Sequence, residues 1–264
     1  MEDDVVFLFE VKLLYFVSMA KQHGNFGKLA QKYDAHRPKY PAKALSMLEK
    51  HIPSSQSLVL DLGCGTGIST RQLAKKKGIV IGCDVDQDMI SVALSYKSKN
   101  TAYTVAPAER LPFSDDTFDV VTMFNSFHWF STKKSLKEIK RVLRKRGKIC
   151  IVQARFFSPF APELRSVLSD VVGKDLKPRY RKTRFEDLLK ESGLSISSKD
   201  VFVATNSYSL SEYVNLVQSY SVWNDVPEEY RPKAIAALKK SFKKYLRNGK
   251  LQDKRKVHVL IVKV

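Results

Sequence analysis

The chain has 264 residues, enough to bury a substantial core as one large domain or as a domain with an insertion. Its hydrophobic content of 44% excludes a disordered chain, and the three cysteines (Cys64, Cys83, Cys150) are too few and too scattered for a disulfide framework or a zinc site. Residues 1–132 hold 15 Lys/Arg against 14 Asp/Glu, whereas residues 133–264 hold 31 against 13, so nearly all of the net +19 lies in the second half. That asymmetry serves either as a solubility device or as a surface for anionic partners.

In chain order, the opening MEDDVVFLFEVKLLYFVSMA is apolar, but its start is acidic and Glu10 and Lys12 interrupt it. It is too short to span a bilayer and lacks the basic start of a signal peptide, so it reads as an amphipathic helix or extension, with Met19 as an alternative start. A soluble, cytoplasmic protein is expected, consistent with Cys83 and Cys150 sitting as free thiols in apolar runs. Then β-rich runs alternate with helical stretches: LVLDLG (58–63), a helix from about Ser69, IVIGCD (79–84), a helix over 87–96, TAYTV (101–105), FDVVTMF (118–124), a helix over 132–144 and GKICIVQA (147–154). This rhythm predicts a parallel sheet with helices on both faces. In the helix over 132–144, Leu136, Ile139, Val142 and Leu143 form an apolar stripe, and Gly147 is expected to stop it.

Residues 155–182 carry three prolines and no clear strand. A helix (184–192), a strand (199–205), helical stretches at 211–220 and 229–247, and a last strand KVHVLIVKV (256–264) follow. Residues 1–32 read as an N-terminal extension or helix, and 33–264 as one domain with helical cap elements within about 155–250.

LDLGCGTGIST places Gly63, Gly65 and Gly67 between a strand and a helix, where a ligand can approach the backbone. The spacing is GxGxG rather than the dinucleotide GxGxxG, and no Walker lysine follows. Asp61 ahead of the turn would repel a pyrophosphate but suits an ammonium group. Asp84 ends the second strand, where a carboxylate can accept both hydroxyls of a ribose. The turn APAERLPF (106–113) follows the third strand, and its Ala108–Glu109 backbone with Leu111 and Phe113 can flank a purine. Asp86 and Asp88 fall at a helix start and read as capping residues.

Together LDLGCGTG, the Asp84 of GCDVDQDMI, AERLPFSDDTFDVV and RVLRKRGKI resemble the class I S-adenosylmethionine-dependent methyltransferases, in particular the type-11 group. A strand-end His128–Trp129, an upstream Tyr33, Arg37, Pro38, Tyr40 and Pro41, and the late helices resemble the trans-aconitate methyltransferase-like subgroup, which acts on carboxylates or other small acceptors. One departure is Pro107, where that family often has an acidic residue. The resemblance implies a Rossmann-like α/β fold with a seven-stranded, mostly parallel sheet, an antiparallel last strand and a helical cap insertion. It implies S-adenosylmethionine as methyl donor, S-adenosylhomocysteine as product, and no metal. For the cofactor it implies Arg37, Asp61, Gly63, Cys64, Gly65 and Gly67 with Asp84, Val85, Ala108, Glu109, Asn125 and Phe127. For the acceptor it implies Tyr33, Tyr40, His128, Trp129 and Arg155.

The run NSFHWF (125–130) stands where open α/β sheets bind ligands, and is either a packed corner or a pocket wall. His128 stands there as a general base or as a positioning group. Tyr33, His36, Arg37 and Tyr40 read as a lid or as a plain helix–turn, Arg155 as an anion contact or a surface residue, and 208–225 as cap core. In-line methyl transfer needs mainly alignment, which agrees with the lack of a nucleophile triad or metal motif. The expected acceptor is a small, anionic molecule; an RNA or other macromolecule docked on the basic half, or cofactor binding without catalysis, are the competing expectations. Basic clusters at 133–148, 177–184 and 239–256 predict weak, salt-sensitive binding of RNA or another polyanion.

Overall fold

The structure is a computed structural model that describes residues 30–96, 98–176 and 185–264. The expected N-terminal helix before residue 30 and the basic stretch KPRYRKTR lie outside the described residues. β1 (Leu58–Leu62), β2 (Ile79–Asp84), β3 (Thr101–Val105), β4 (Phe118–Phe124), β5 (Leu143–Phe156), β6 (Ser195–Tyr208) and β7 (Leu251–Lys263) form one sheet in the order β3-β2-β1-β4-β5-β7-β6. Strands β1 to β5 pair in parallel, and β7 runs antiparallel between β5 and β6. The expected mostly parallel, seven-stranded sheet is therefore present. Central strands covered on both faces are mainly apolar on both, which is why LVLDL and FDVVTMF do not alternate. The chain runs outward from β1 to β3 and crosses back to β4, so the order reverses between β1 and β4 and opens a crevice at their carboxyl ends.

Helices α1 (Ala30–His36), α2 (Ala42–Glu49), α3 (Ile68–Ala74) and α4 (Gln87–Ser95) precede and interleave the first strands, and α5 (Lys133–Val142) joins β4 to β5. Asp86 caps α4 by accepting from the Asp88 and Met89 amides, as its position predicts, which stabilises such a helix by about 1 kcal/mol. Thr132 and Ser135 form a capping box on α5, whose Leu136, Ile139 and Val142 enter the core below the sheet. Gly147 does not stop this helix. The chain becomes extended at Leu143, and β5 begins there. Gly147 is needed because an added Cβ would meet the Leu143 side chain at 2.7 Å.

Strand and helix bounds late in the chain differ from expectation. β6 runs over 195–208 and β7 over 251–263, both longer than predicted, because each pairs along its full length as an antiparallel ribbon. The proline-bearing stretch after β5 contains α6 (Ala161–Val172), which tolerates Pro162 in its first turn. α7 (Phe185–Glu191), α8 (Leu210–Val217) and α9 (Arg231–Phe242) follow, the last shorter than the predicted 229–247 because short 3₁₀ turns flank it. α6, α8 and α9 enclose a separate core of Phe160, Tyr213, Trp223 and Phe242, so most of the aromatic run 208–225 lies in this second core.

β6 pairs with β7 alone among the described residues and forms the sheet edge. Its Val201 and Val203 are 49% and 51% exposed, and its register shifts between Ile196 and Ser198. Part of the basic run at 133–148 is neutralised internally: Lys133 pairs with Glu191, Arg141 with Asp115 and Glu138, and Arg144 with Asp119.

Candidate functional site

A cavity of about 1090 Å³ lies over the carboxyl ends of the strands. Small-molecule pockets run from about 300 to about 1,000 Å³, so this one has room for two bound molecules. On its β1–β2 side, the glycine turn is stitched to the next strand by its backbone. The Gly63 and Cys64 amides donate to the Cys83 carbonyl at 2.7 and 3.1 Å, and the Gly65 amide donates to the Asp84 carboxylate at 2.8 Å. Gly63 has φ +70°, and a Cβ there would lie 2.5 Å from the Ser126 Cβ, so the turn presses directly on the start of the β4 loop. Gly65 is different: only Met89 Cε, at 4.0 Å, lies near an added Cβ, because the residue faces the cavity. Gly67 faces away, against the Tyr103 ring, and serves as the N-cap of α3 rather than as cavity wall.

Asp61 and Asp84 are separated by this arrangement. Asp61 is wholly buried and outside the cavity lining; it accepts from Ser69, Thr70 and Thr122 hydroxyls at 2.7, 2.7 and 3.1 Å. Burial pushes its carboxyl pKa up, and the three hydroxyls oppose that shift. The predicted direct contact with an ammonium group is therefore not what the side chain is placed for: it ties α3 to β1 and β4. Asp84 is half-buried in the lining and also accepts from the Asp86 amide at 3.0 Å, leaving lone pairs for a ligand. Thr66, unremarked in the sequence, lines the same end, and its hydroxyl is buried without a hydrogen-bond partner among the described residues. Cys64, Val85, Ala108 and Glu109 line this end too. The turn carrying Ala108 and Glu109 is braced from α5: the Leu111 amide donates to Glu138 at 3.0 Å, and Arg141 donates to the Leu111 and Phe113 carbonyls.

NSFHWF divides residue by residue. Asn125, His128 and Trp129 line the cavity, whereas Phe127 is 1% exposed and packs on Phe130 and Phe185 in the sheet core. Phe127 is thus packing and not a cofactor wall. Asn125 takes φ +52°, and its side-chain carbonyl accepts from the Ala154 amide at 2.6 Å, which fixes the loop to β5. Its amide nitrogen donates to the Tyr40 hydroxyl at 3.4 Å, and that hydroxyl donates to the Phe124 carbonyl at 3.2 Å. The His128 ring lies 5.0 Å from Trp129. Burial, aided by Arg155, lowers the His128 pKa to about 4, so its ring is neutral at neutral pH.

Tyr33, Arg37 and Tyr40 line the cavity from the N-terminal side. Arg37 lies between the Tyr33 and Tyr220 rings, at 4.6 and 4.8 Å, and donates to the Ser219 carbonyl at 3.0 Å. The segment after α1 is thereby fastened to the segment after α8. Arg155 is exposed at the rim, and Lys199 and Arg255 join the same end, Lys199 paired with Glu186. The two ends differ in charge: Asp84, Asp86 and Glu109 stand on the β2–β3 side, whereas on the β5–β7 side the cations Arg155, Lys199 and Arg255 are accompanied by Glu186 and Asp187 and by the buried partner Asp253. Sequence reading did not select Arg255. Its signal was present, since Leu251, Asp253, Arg255, Val257 and Val259 alternate inward, placing two charged residues on the buried face of a strand.

Comparison with known proteins supports methyl transfer. Residues 60–151, which carry the glycine turn, Asp84 and the β4 loop, match a methyltransferase-domain family. A Schizosaccharomyces pombe protein named as an uncharacterized methyltransferase is 29% identical over 210 residues, covering 78% of this chain and 82% of its own. The fold is shared with the YcgJ protein of Bacillus subtilis, at a TM-score of 0.52 and 20% identity over 84% of this chain and 97% of that one. It is also shared with a phosphoethanolamine N-methyltransferase of Haemonchus contortus solved with S-adenosyl-L-methionine, at a TM-score of 0.52 and 19% identity over 89% and 57%. Residues 60–151 thus carry a methyltransferase domain, and the relatives together with the shared fold support a class I S-adenosylmethionine-dependent methyltransferase.

Proposed function

We propose that this enzyme methylates a carboxylate oxygen of a small, anionic acceptor. The observation that carries the reading is the β5–β7 end of the cavity, where the exposed Arg155 stands beside a histidine whose ring is neutral. The acidic end fits the methyl donor. Asp84 has acceptor capacity for ribose hydroxyls, Gly65 leaves the space that a side chain would fill, and the unpartnered Thr66 hydroxyl is available to the amino-acid part. Ala108 and Glu109 would border the adenine, and Asn125 the region between the two ligands. S-adenosylmethionine supplies an electrophilic methyl on a sulfonium: an acceptor oxygen lone pair forms the O–CH₃ bond as the S–CH₃ bond breaks, leaving an ester and a neutral thioether.

A carboxylate has no proton to lose at neutral pH, so His128 need not act as a base. It and Trp129 then hold the acceptor and exclude water, and alignment supplies most of the rate. The remaining cations of the second half would draw polyanions weakly and with salt sensitivity, apart from this chemistry.

The test is methyl transfer from labelled S-adenosylmethionine into a panel of carboxylic acids, read as a base-labile methyl ester. His128→Ala and Trp129→Ala should lower turnover while S-adenosylhomocysteine affinity stays close to wild type. Label that appears only in amines or RNA, or in no acid at all, sinks the reading.

A further inference from the structure

One charged group in the cavity wall has no task in holding the methyl donor. Arg255, on β7, is 8% exposed, and it lines the cavity. Its Nε donates to Asp253, itself fully buried, at 2.8 Å, and its Nη2 donates to the Tyr220 hydroxyl at 3.2 Å. Phe156 lies against the guanidinium, 5.0 Å from its ring centre. Asp253 is held in turn by the Ser158 hydroxyl at 2.9 Å. Arg255 Nη1 has no hydrogen-bond partner among the described residues. The guanidinium is therefore fixed on one side by the protein, and its remaining donors are left for whatever occupies the cavity.

We propose that Arg255 binds an anionic group of the acceptor other than the carboxylate that is methylated, so that the acceptor carries at least two negative charges. This deepens the carboxylate reading and rests on it. A planar guanidinium matches a carboxylate through two parallel N–H donors, and here the aromatic ring and Asp253 hold the fork in place before the ligand arrives. The carboxylate bound there is not the nucleophile, since charge-assisted hydrogen bonds engage the lone pairs that would attack. The reacting carboxylate lies instead beside His128, a neutral group that leaves its charge largely unstabilised. Arg255 is thus a specificity-determining residue.

The experiment measures binding of succinate, glutarate and tricarballylate to the protein saturated with S-adenosylhomocysteine, with propionate and neutral glutaramide as controls. Two variants are compared with wild type: Arg255→Lys, which keeps the charge but not the fork, and Asp253→Asn/Arg255→Gln, which removes both buried charges together and strands neither. The polycarboxylates should bind wild type in preference to both controls. Their affinity should fall about 10- to 100-fold in the double variant and by less in Arg255→Lys, while S-adenosylhomocysteine affinity is unchanged. Equal polycarboxylate affinity in wild type and double variant overturns the assignment of Arg255 but leaves the carboxylate reading intact. Equal binding of propionate and glutarate to wild type overturns the second anionic group. No binding of any acid to wild type overturns the carboxylate reading and the inference with it.

Discussion

On the β1–β2 side of the cavity the backbone does the holding. Glycine amides bond to the Cys83 carbonyl and the Asp84 carboxylate, and every partner lies within about one βα unit. Around the rest of the cavity the side chains do it, and their partners come from far apart: Arg37 reaches Ser219, 182 residues on, and Tyr40 meets Asn125 across 85. The first arrangement tolerates almost no change because a backbone turn has no rotamers to adjust. The second can be altered one side chain at a time. A rigid donor end beside an adjustable acceptor end lets one scaffold present a fixed methyl group to different molecules.

Three experiments can break or sharpen this contrast. The largest effect is expected at the turn. Gly63→Ala puts a Cβ 2.5 Å from the Ser126 Cβ at φ +70°, and strain plus overlap should cost about 3–4 kcal/mol of stability in denaturant unfolding. A loss below about 1 kcal/mol would mean that the turn is slack and the backbone contrast is wrong.

Next comes acid. His128 has a folded pKa of about 4, below its ordinary 6.5, so between those values the unfolded chain binds more protons and protonation favours unfolding. Stability from this group is complete above about pH 6.5 and is lost as pH falls to about 4, by up to about 3 kcal/mol. His51 and His258, also lowered by burial and nearby cations, act in the same direction. His128→Gln should flatten the profile. Turnover should stay level from about pH 7 to about 9; a rise with an apparent pKa near 7 would make His128 a titrating base.

The smallest of the three is Asp84→Ala, expected to weaken S-adenosylhomocysteine binding by about 2 kcal/mol in calorimetry and to leave polycarboxylate affinity unaltered. Unchanged cofactor affinity in a folded variant would remove Asp84 from the ribose.

The same contrast explains what could be read without coordinates. Strands β1 to β4, the Asp86 cap and the cavity positions of Gly65, Asp84 and Ala108 follow from short stretches whose meaning is local: a turn between strand and helix, or an acid at a strand end. Asp61 was harder, because its carboxylate meets Thr122 hydroxyl across the sheet, 61 residues away, and is consumed there. Phe127 and Trp129 look alike in a sequence, and only the one-turn 3₁₀ geometry sends one into the core and the other to the cavity. Arg255 was hidden by the end assigned to its strand. Extending the alternation of β7 back by five residues exposes it, but antiparallel pairing with β6, a long-range event, is what extends the strand.

The ribbon of β6 and β7 has a bearing on self-association. A strand 14 residues long that is paired on one side only among the described residues, with Val201 and Val203 outward, offers its free amides and carbonyls to any other extended chain. Two features counter that. The register shift near Ile196 twists the edge away from flatness, and Lys199 with Asp200 would have to be desolvated or brought against like charges in a stacked copy. Replacing those two by apolar residues would convert a guarded margin into a template for intermolecular β-pairing, turning a folded enzyme into a seed for aggregation while its active site remained intact.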